Sequence, residues 1–174
     1  MKHFRAHLSP IQQLAVNVTG SLLATVASDK AVKVFDVINF DMINILQLDY
    51  VPAAAAWIHR AGAAVPELAV ADTATPTIHV YDGRGTSAPL RSLEKIHMKP
   101  VRLMLYSPTY DVIISCDEGA MIEYWSGFAN DYGFPKCVRE VRALSIFRQG
   151  AIRYGTVNWV RCLTYLPTGT FNLI

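Results

Sequence analysis

The chain reads as an all-β fold of about three repeated antiparallel sheets followed by an irregular C-terminal tail, on the strength of three observations. The stretch Ile11 to Val37, IQQLAVNVTGSLLATVASDKAVKVFDV, holds three short apolar runs separated by turn signals at Asn17 to Ser21 and at Ser28-Asp29-Lys30, the pattern of a three-strand meander. Val32 and Val34 alternate around Lys33 before Phe35-Asp36 closes the run, and the Val, Thr and Phe content favours a pleated surface over a helix. Landmarks then recur along the chain. His7 and His97 lie 90 residues apart, and the strand ends Phe35-Asp36, Tyr81-Asp82 and Trp125-Ser126 are separated by 46 and 44 residues.

A step near 45 residues with an aromatic-Asp ending is the signature of WD-repeat propeller blades, each a sheet of four strands. The expected blades cover about 7–48, 53–93 and 97–136, within a partial propeller spanning 1–136. In the first, the opening meander is followed by an outer strand around Met42 to Leu48. In the second, strands are expected near Ala54 to His59, Glu67 to Asp72 and Thr77 to Asp82, with Asp82-Gly83-Arg84-Gly85 as a tight exit turn. The third opens at His97, runs through Val101 to Tyr106, turns at Ser107-Pro108, and continues along Val112 to Cys116 and Met121 to Trp125. Beyond Lys136 the pattern fades. Val138 to Arg148 fits either a short amphipathic helix or a ragged strand, and Tyr154 to Ile174 has no aromatic-Asp ending, so 137–174 is expected to be a divergent, poorly packed or disordered tail.

Composition supports a buried core: of 174 residues, 52% are hydrophobic and 17% charged. A formal net charge of +2 without any block of like charges points to neither a nucleic-acid nor a membrane surface. Cys116, Cys137 and Cys162 form no CxxC pair and no even-numbered framework, which fits a reducing compartment. The N-terminal residues carry no signal-peptide pattern, and no apolar run approaches the roughly 18 residues of a membrane span. Asn17-Val18-Thr19 matches a glycosylation sequon and is read as a plain turn.

Two sets of residues recur in a way that suggests a shared structural role. In a WD blade a His, a hydroxyl on the second strand, an Asp near the following turn and an aromatic on the third strand form a buried chain of hydrogen bonds, because a buried carboxylate without donors costs several kcal/mol. The first unit offers His7, Thr25, Asp29 and Phe35, and the third offers His97, Ser115, Asp117 and Trp125. Phe35 lacks an indole N–H, so the first chain is expected to stop at the hydroxyl. Asp29 lies six residues before its aromatic and Asp117 eight, which predicts a turn two residues longer in the third unit. The second unit has no matching His and is expected to hold by packing alone. Asp36, Tyr81 and Asp82 complete the strand-end motif.

The same residues invite catalytic readings that the repeat argues against. His7, Thr25 and Asp29 resemble a hydrolase triad, but a nucleophile does not normally recur once per blade. His59 and His79 are scattered without metal-ligand spacing. Gly83-Arg84-Gly85 is too short for a phosphate-cradling loop and follows no strand-to-helix transition. Asp111, Asp117 and Glu118 read as a solvated turn rather than an acid/base pair. No catalytic residue, cofactor site or metal site is expected.

The runs DKAVKVFDVINFDMINIL (Asp29 to Leu46), IHVYDGRG (Ile78 to Gly85), GAMIEYWSG (Gly119 to Gly127) and YGFPK (Tyr132 to Lys136) resemble the WD-repeat domain of the peptidylprolyl isomerase domain and WD repeat-containing proteins, over about Lys2 to Lys136. These are nuclear cyclophilins associated with spliceosomes, in which a propeller precedes a C-terminal domain that interconverts cis and trans prolyl bonds. The resemblance implies a nuclear scaffold with spliceosomal protein partners and an isomerase activity that resides elsewhere in the family's architecture. This chain is expected to represent an internal slice of the propeller, lacking the preceding blade, the later blades and the isomerase, with self-association possible through open edges. His59-Arg60 lies inside a blade, so no isomerase residue carries over. A tail departing from the family pattern after Cys137 suggests a shortened gene product.

Overall fold

The computed structural model describes residues 5–59, 62–108 and 111–125. They form three antiparallel sheets, the blades of a partial all-β propeller. The first sheet runs in sequence order through β1 (Ile11–Val16), β2 (Leu22–Ala27), β3 (Ala31–Asp36) and β4 (Asp41–Gln47). The second repeats that order with β5 (Pro52–Ile58), β6 (Glu67–Asp72), β7 (Ile78–Asp82) and β8 (Arg91–Leu93). In the third, β10 (Val112–Asp117) pairs with β9 (Val101–Ser107) on one side and β11 (Ile122–Trp125) on the other. The readings of 126–136 and of the tail 137–174 fall outside the described residues.

Local chemistry sets the turns. Asn17 accepts the Gly20 amide on its carbonyl at 3.0 Å and the Leu22 amide on Oδ1 at 3.0 Å, while Gly20 takes a φ of 72° that costs a residue without Cβ little. The sequon side chain is itself engaged, donating from Nδ2 to Thr19 Oγ1 and Ser21 Oγ. At the next hairpin Ala27 faces Ala31, and Lys30 closes the three-residue loop at φ 58°.

The core follows from period-two alternation, which sends successive side chains to opposite faces. Ala55, Trp57, Leu68, Val70 and Tyr81 of the second sheet meet Ala24, Val26, Val32, Val34 and Leu46 of the first. Their neighbours Ala54, Ala56, Ala69, Ala71, Ile78 and Val80 face the other way, against Val101, Met104, Ile113 and Trp125 of the third. The second sheet is therefore buried on both faces, which is why its strands read as nearly continuous apolar runs. Leu46, Leu68, Ile78 and Ile113 are fully buried, and each such side chain stabilises by about 1.5–3 kcal/mol relative to exposure. Among the described residues no further sheet packs on the far face of the first, where Leu14, Val16 and Ile45 are 58%, 57% and 44% exposed.

The side chains of Gln13, Trp57 and Asn44 tie the sheets to one another. Gln13 accepts the Ala55 amide on Oε1 at 2.9 Å and donates from Nε2 to the carbonyls of Ala55 and Met104 at 3.0 and 3.2 Å, joining β1 to β5 and to β9. Trp57 donates its indole N–H to the Ala15 carbonyl at 2.9 Å. Asn44 on β4 donates from Nδ2 to the carbonyls of Gly83 and Gly85 at 3.1 and 3.0 Å, pinning the β7–β8 turn against the first sheet. A side chain at Gly83 has no room, since a Cβ there would stand 2.6 Å from the Trp57 ring and 3.1 Å from the Pro66 carbonyl. Gly83→Ala is expected to destabilise the fold by about 1–3 kcal/mol through overpacking, read as a lowered midpoint in thermal or urea unfolding; an unchanged midpoint would show that the turn relaxes freely.

Candidate functional site: two buried hydrogen-bond relays

The structure brings His97, Ser115, Asp117 and Trp125 together between the second and third sheets. All four are at most 5% exposed. His97 Nδ1 lies 3.3 Å from Asp117 Oδ2, His97 Nε2 lies 2.7 Å from Ser115 Oγ, and the Trp125 indole N–H donates to Ser115 Oγ at 3.0 Å. A carboxylate only accepts, so the Nδ1 proton is assigned to the Asp117 side, leaving Nε2 to accept from the Ser115 hydroxyl. Donation then runs in one direction, from Trp125 through Ser115 to His97 and on to Asp117. The other Asp117 oxygen accepts the amides of Gly119 and Met121 at 2.8 and 2.9 Å.

His7, Thr25 and Asp29 form the matching arrangement on the far face of the first sheet, with His7 and Thr25 buried. His7 Nδ1 stands 3.0 and 3.1 Å from the two Asp29 oxygens, and Nε2 stands 2.7 Å from Thr25 Oγ1. The Leu8 amide donates to Asp29 Oδ2 at 3.0 Å. Burial alone pushes the Asp29 carboxyl upward, but the Leu8 amide and the His7 hydrogen bond and charge outweigh it and hold the group below its ordinary value. The Phe35 side chain carries no donor, so no indole extends this relay beyond Thr25.

The two hairpins are equally long, contrary to the sequence expectation of a turn two residues longer in the third sheet. Ala27 faces Ala31 in one, and the Asp117 amide donates to the Met121 carbonyl at 3.1 Å in the other. Lys30 and Ala120 occupy the same left-handed position, with φ of 58° and 61°. The acid has moved instead: Asp29 sits in the loop, whereas Asp117 is the last residue of β10, and both carboxylates reach the imidazole.

The second sheet corrects a further expectation, that it holds by packing alone. The hydroxyls of Tyr50 and Tyr81 share a hydrogen bond of 3.1 Å, and the Tyr50 ring lies 4.9 Å from that of His79. Burial raises both phenols above their ordinary values and lowers the His79 imidazole. Nothing in the spacing pointed to Tyr50, because it replaces a histidine relay with a different pair of groups. Asp36 and Asp82 stand apart from the relays and shape strand-end turns. Asp36 accepts the Ile38 and Asn39 amides at 2.9 and 3.0 Å, and Asp82 accepts the Arg84 amide at 2.8 Å.

Chemically the third-sheet relay has the connectivity of a hydrolytic triad, yet Ser115 Oγ already serves both His97 and Trp125 and is 1% exposed. A nucleophile needs a free lone pair and a path for substrate. The Cys116 thiol is buried and its pKa is raised by burial and by Asp117, the opposite of an activated thiolate. Among the described residues no group of three or more His, Cys, Asp or Glu is placed to hold a metal ion, and no helix is long and apolar enough to cross a membrane.

Two measurements test these geometries. Ser115→Ala leaves His97 and the Trp125 indole buried without their shared partner, and is expected to cost about 2–3 kcal/mol of unfolding free energy; a loss under about 0.5 kcal/mol would mean that the relay contributes little. Because the folded Asp29 carboxyl is depressed, its stabilisation is present above the unfolded carboxylate pKa of about 3.9 and is lost as pH falls through the lower folded value. The stability advantage of the wild-type chain over Asp29→Asn is therefore expected at pH 6 and to vanish in strong acid; an advantage independent of pH would contradict this.

The family model "WD domain, G-beta repeat" matches residues 1–36. Peptidylprolyl isomerase domain and WD repeat-containing protein 1 of Mus musculus and of Homo sapiens are each 45% identical over 138 residues, covering 79% of this chain and 21% of the relative. Peptidyl-prolyl cis-trans isomerase CYP71 of Arabidopsis thaliana is 44% identical over 136 residues, 78% of this chain and 21% of its own length. The chain thus spans about a fifth of the length of the curated relatives it matches. With a WD repeat in its sequence, propeller blades in its fold and this level of identity, the chain belongs to the family of peptidylprolyl isomerase domain and WD repeat-containing proteins.

Proposed function

We propose that this chain is a non-catalytic protein-interaction module, the WD-repeat scaffold of a spliceosome-associated peptidyl-prolyl isomerase. The observation that carries the reading is the engagement of Ser115 by both His97 and Trp125: the chemistry-bearing side chains are spent on holding sheets together, which leaves loops and sheet ends for recognition. On this reading His7, Thr25, Asp29, Phe35, His97, Ser115, Asp117 and Trp125 are structural, as are Asp36, Tyr81 and Asp82 at the strand ends, with blades over about 7–48, 53–93 and 97–136. WD repeats generally mediate protein–protein contacts, and the family relationship supports nuclear, spliceosomal partners. The exposed apolar face of the first sheet, around Leu14, Val16 and Ile45, is where a further sheet or a second copy would pack.

A second reading comes from the relatives, which are named peptidyl-prolyl isomerases, and it assigns that activity to this chain as well. Prolyl exchange in a proline-containing tetrapeptide separates the two. With the purified chain the exchange is expected to keep its uncatalysed time of roughly tens of seconds; acceleration proportional to chain concentration would sink the scaffold reading in favour of the isomerase.

A further inference from the structure

The Gly83-Arg84-Gly85 turn has a surrounding that its sequence does not reveal. A groove of about 360 Å³ opens between the β1–β2 turn of the first sheet and the β5–β6 and β7–β8 connections of the second, with Asn17, Val18, Trp57, His59, Pro66 and Arg84 among its lining. That volume lies in the range of ligand clefts. Trp57 forms part of the lining while being 2% exposed, Val18 and Val65 supply apolar walls, and among the described residues the lining includes the basic His59 and Arg84 and no carboxylate.

The backbone around Arg84 is held from every side. Asn44 takes the carbonyls on either side of it, at Gly83 and Gly85. The Gly83 amide donates to the Pro66 carbonyl at 2.8 Å, and the Arg84 amide donates to Asp82 Oδ1 at 2.8 Å. Among the described residues the Arg84 guanidinium makes no ion pair and no hydrogen bond. Its charge reaches the ionised Asp36 carboxylate without a hydrogen bond to it, and that carboxylate accepts the Ile38 and Asn39 amides and the Asn39 side chain. A fixed backbone presenting an exposed guanidinium whose N–H donors have no partner among the described residues, beside apolar walls, suits a planar anionic group with an apolar neighbour.

We propose that this groove is a docking site for an acidic, extended peptide segment of a partner protein. Arg84 receives a side-chain carboxylate in a two-pronged hydrogen bond, His59 donates alongside, and an adjacent apolar residue of the peptide packs on Val18 and Pro66. The inference rests on the scaffold reading and gives it a location and a ligand chemistry.

The test uses the full 174-residue chain and a capped hexapeptide alternating leucine with glutamate, against its counterpart alternating leucine with lysine. Binding is followed by calorimetry and by the Trp57 indole resonance. The glutamate peptide is expected to bind at least tenfold more tightly than the lysine peptide and to move the Trp57 resonance. Arg84→Gln, on an exposed side chain, is expected to weaken it about tenfold with an unchanged far-ultraviolet spectrum, whereas Lys95→Gln, at an exposed residue after β8 and outside the groove lining, is expected to leave it unaltered. Equal affinity for both peptides, or indifference to Arg84→Gln, overturns the proposal. So does tighter binding at the same resonances by inorganic phosphate or a uridine oligonucleotide, which would assign the groove to phosphate or RNA. A chain that accelerates prolyl exchange yet binds the glutamate peptide through Arg84 would remove the scaffold reading and leave the groove standing.

Discussion

Burial of the second sheet on both faces is the constraint on which the rest of the structure depends. A sheet with one solvated face tolerates polar residues at every other position; here β5 and the interior of β6 carry none, and β5 reads Pro-Ala-Ala-Ala-Ala-Trp-Ile. Small side chains along the inner strand let β1 and β9 approach it from either side. Close approach in turn makes single polar side chains decisive, because Gln13 and Trp57 can then reach across from one backbone to another. The hydrophobic effect sets the stacking and contributes most of the stabilisation, while these few directional bonds select one relative position of the sheets among many that would bury similar area.

The relays show how a repeat keeps its geometry while its residues drift. His7 and His97 each place one ring nitrogen on a hydroxyl at 2.7 Å and the other on a carboxylate. The hydroxyl comes from Thr25 in one and Ser115 in the other, and the acid from two different backbone positions of equally long hairpins. The aromatic varies further: Trp125 donates, Phe35 does not, and Tyr81 pairs with Tyr50 in a sheet that has no histidine relay. What persists is the requirement that each buried donor and acceptor be matched, and more than one set of side chains meets it.

The all-β class, the strand order and most strand limits were legible because alternation and turn chemistry are local. Glu67 to Asp72 is the clearest case, where the expected and observed strands coincide. The hydroxyl partners of His7 and His97 were legible because they recur at the same offset of 18 residues. The length of the third-sheet hairpin was not, since counting from the acid to the aromatic assumes that the acid keeps its place, and Asp117 does not. Tyr50, Gln13 and Asn44 were invisible for a different reason. Each acts on a residue tens of positions away through a contact that leaves no period in the chain.

Gln13 also changes what kind of object this array is. In a row of repeats where each unit touches only its neighbours, stability is a sum of unit and interface terms and the end units can peel away. The amide of Gln13 reaches past the second sheet to the Met104 carbonyl of the third, so loss of the first sheet also disturbs the third. Such a next-nearest-neighbour term, about 1 kcal/mol for one hydrogen bond, couples the ends of the array and favours concerted loss of the three sheets over fraying one by one.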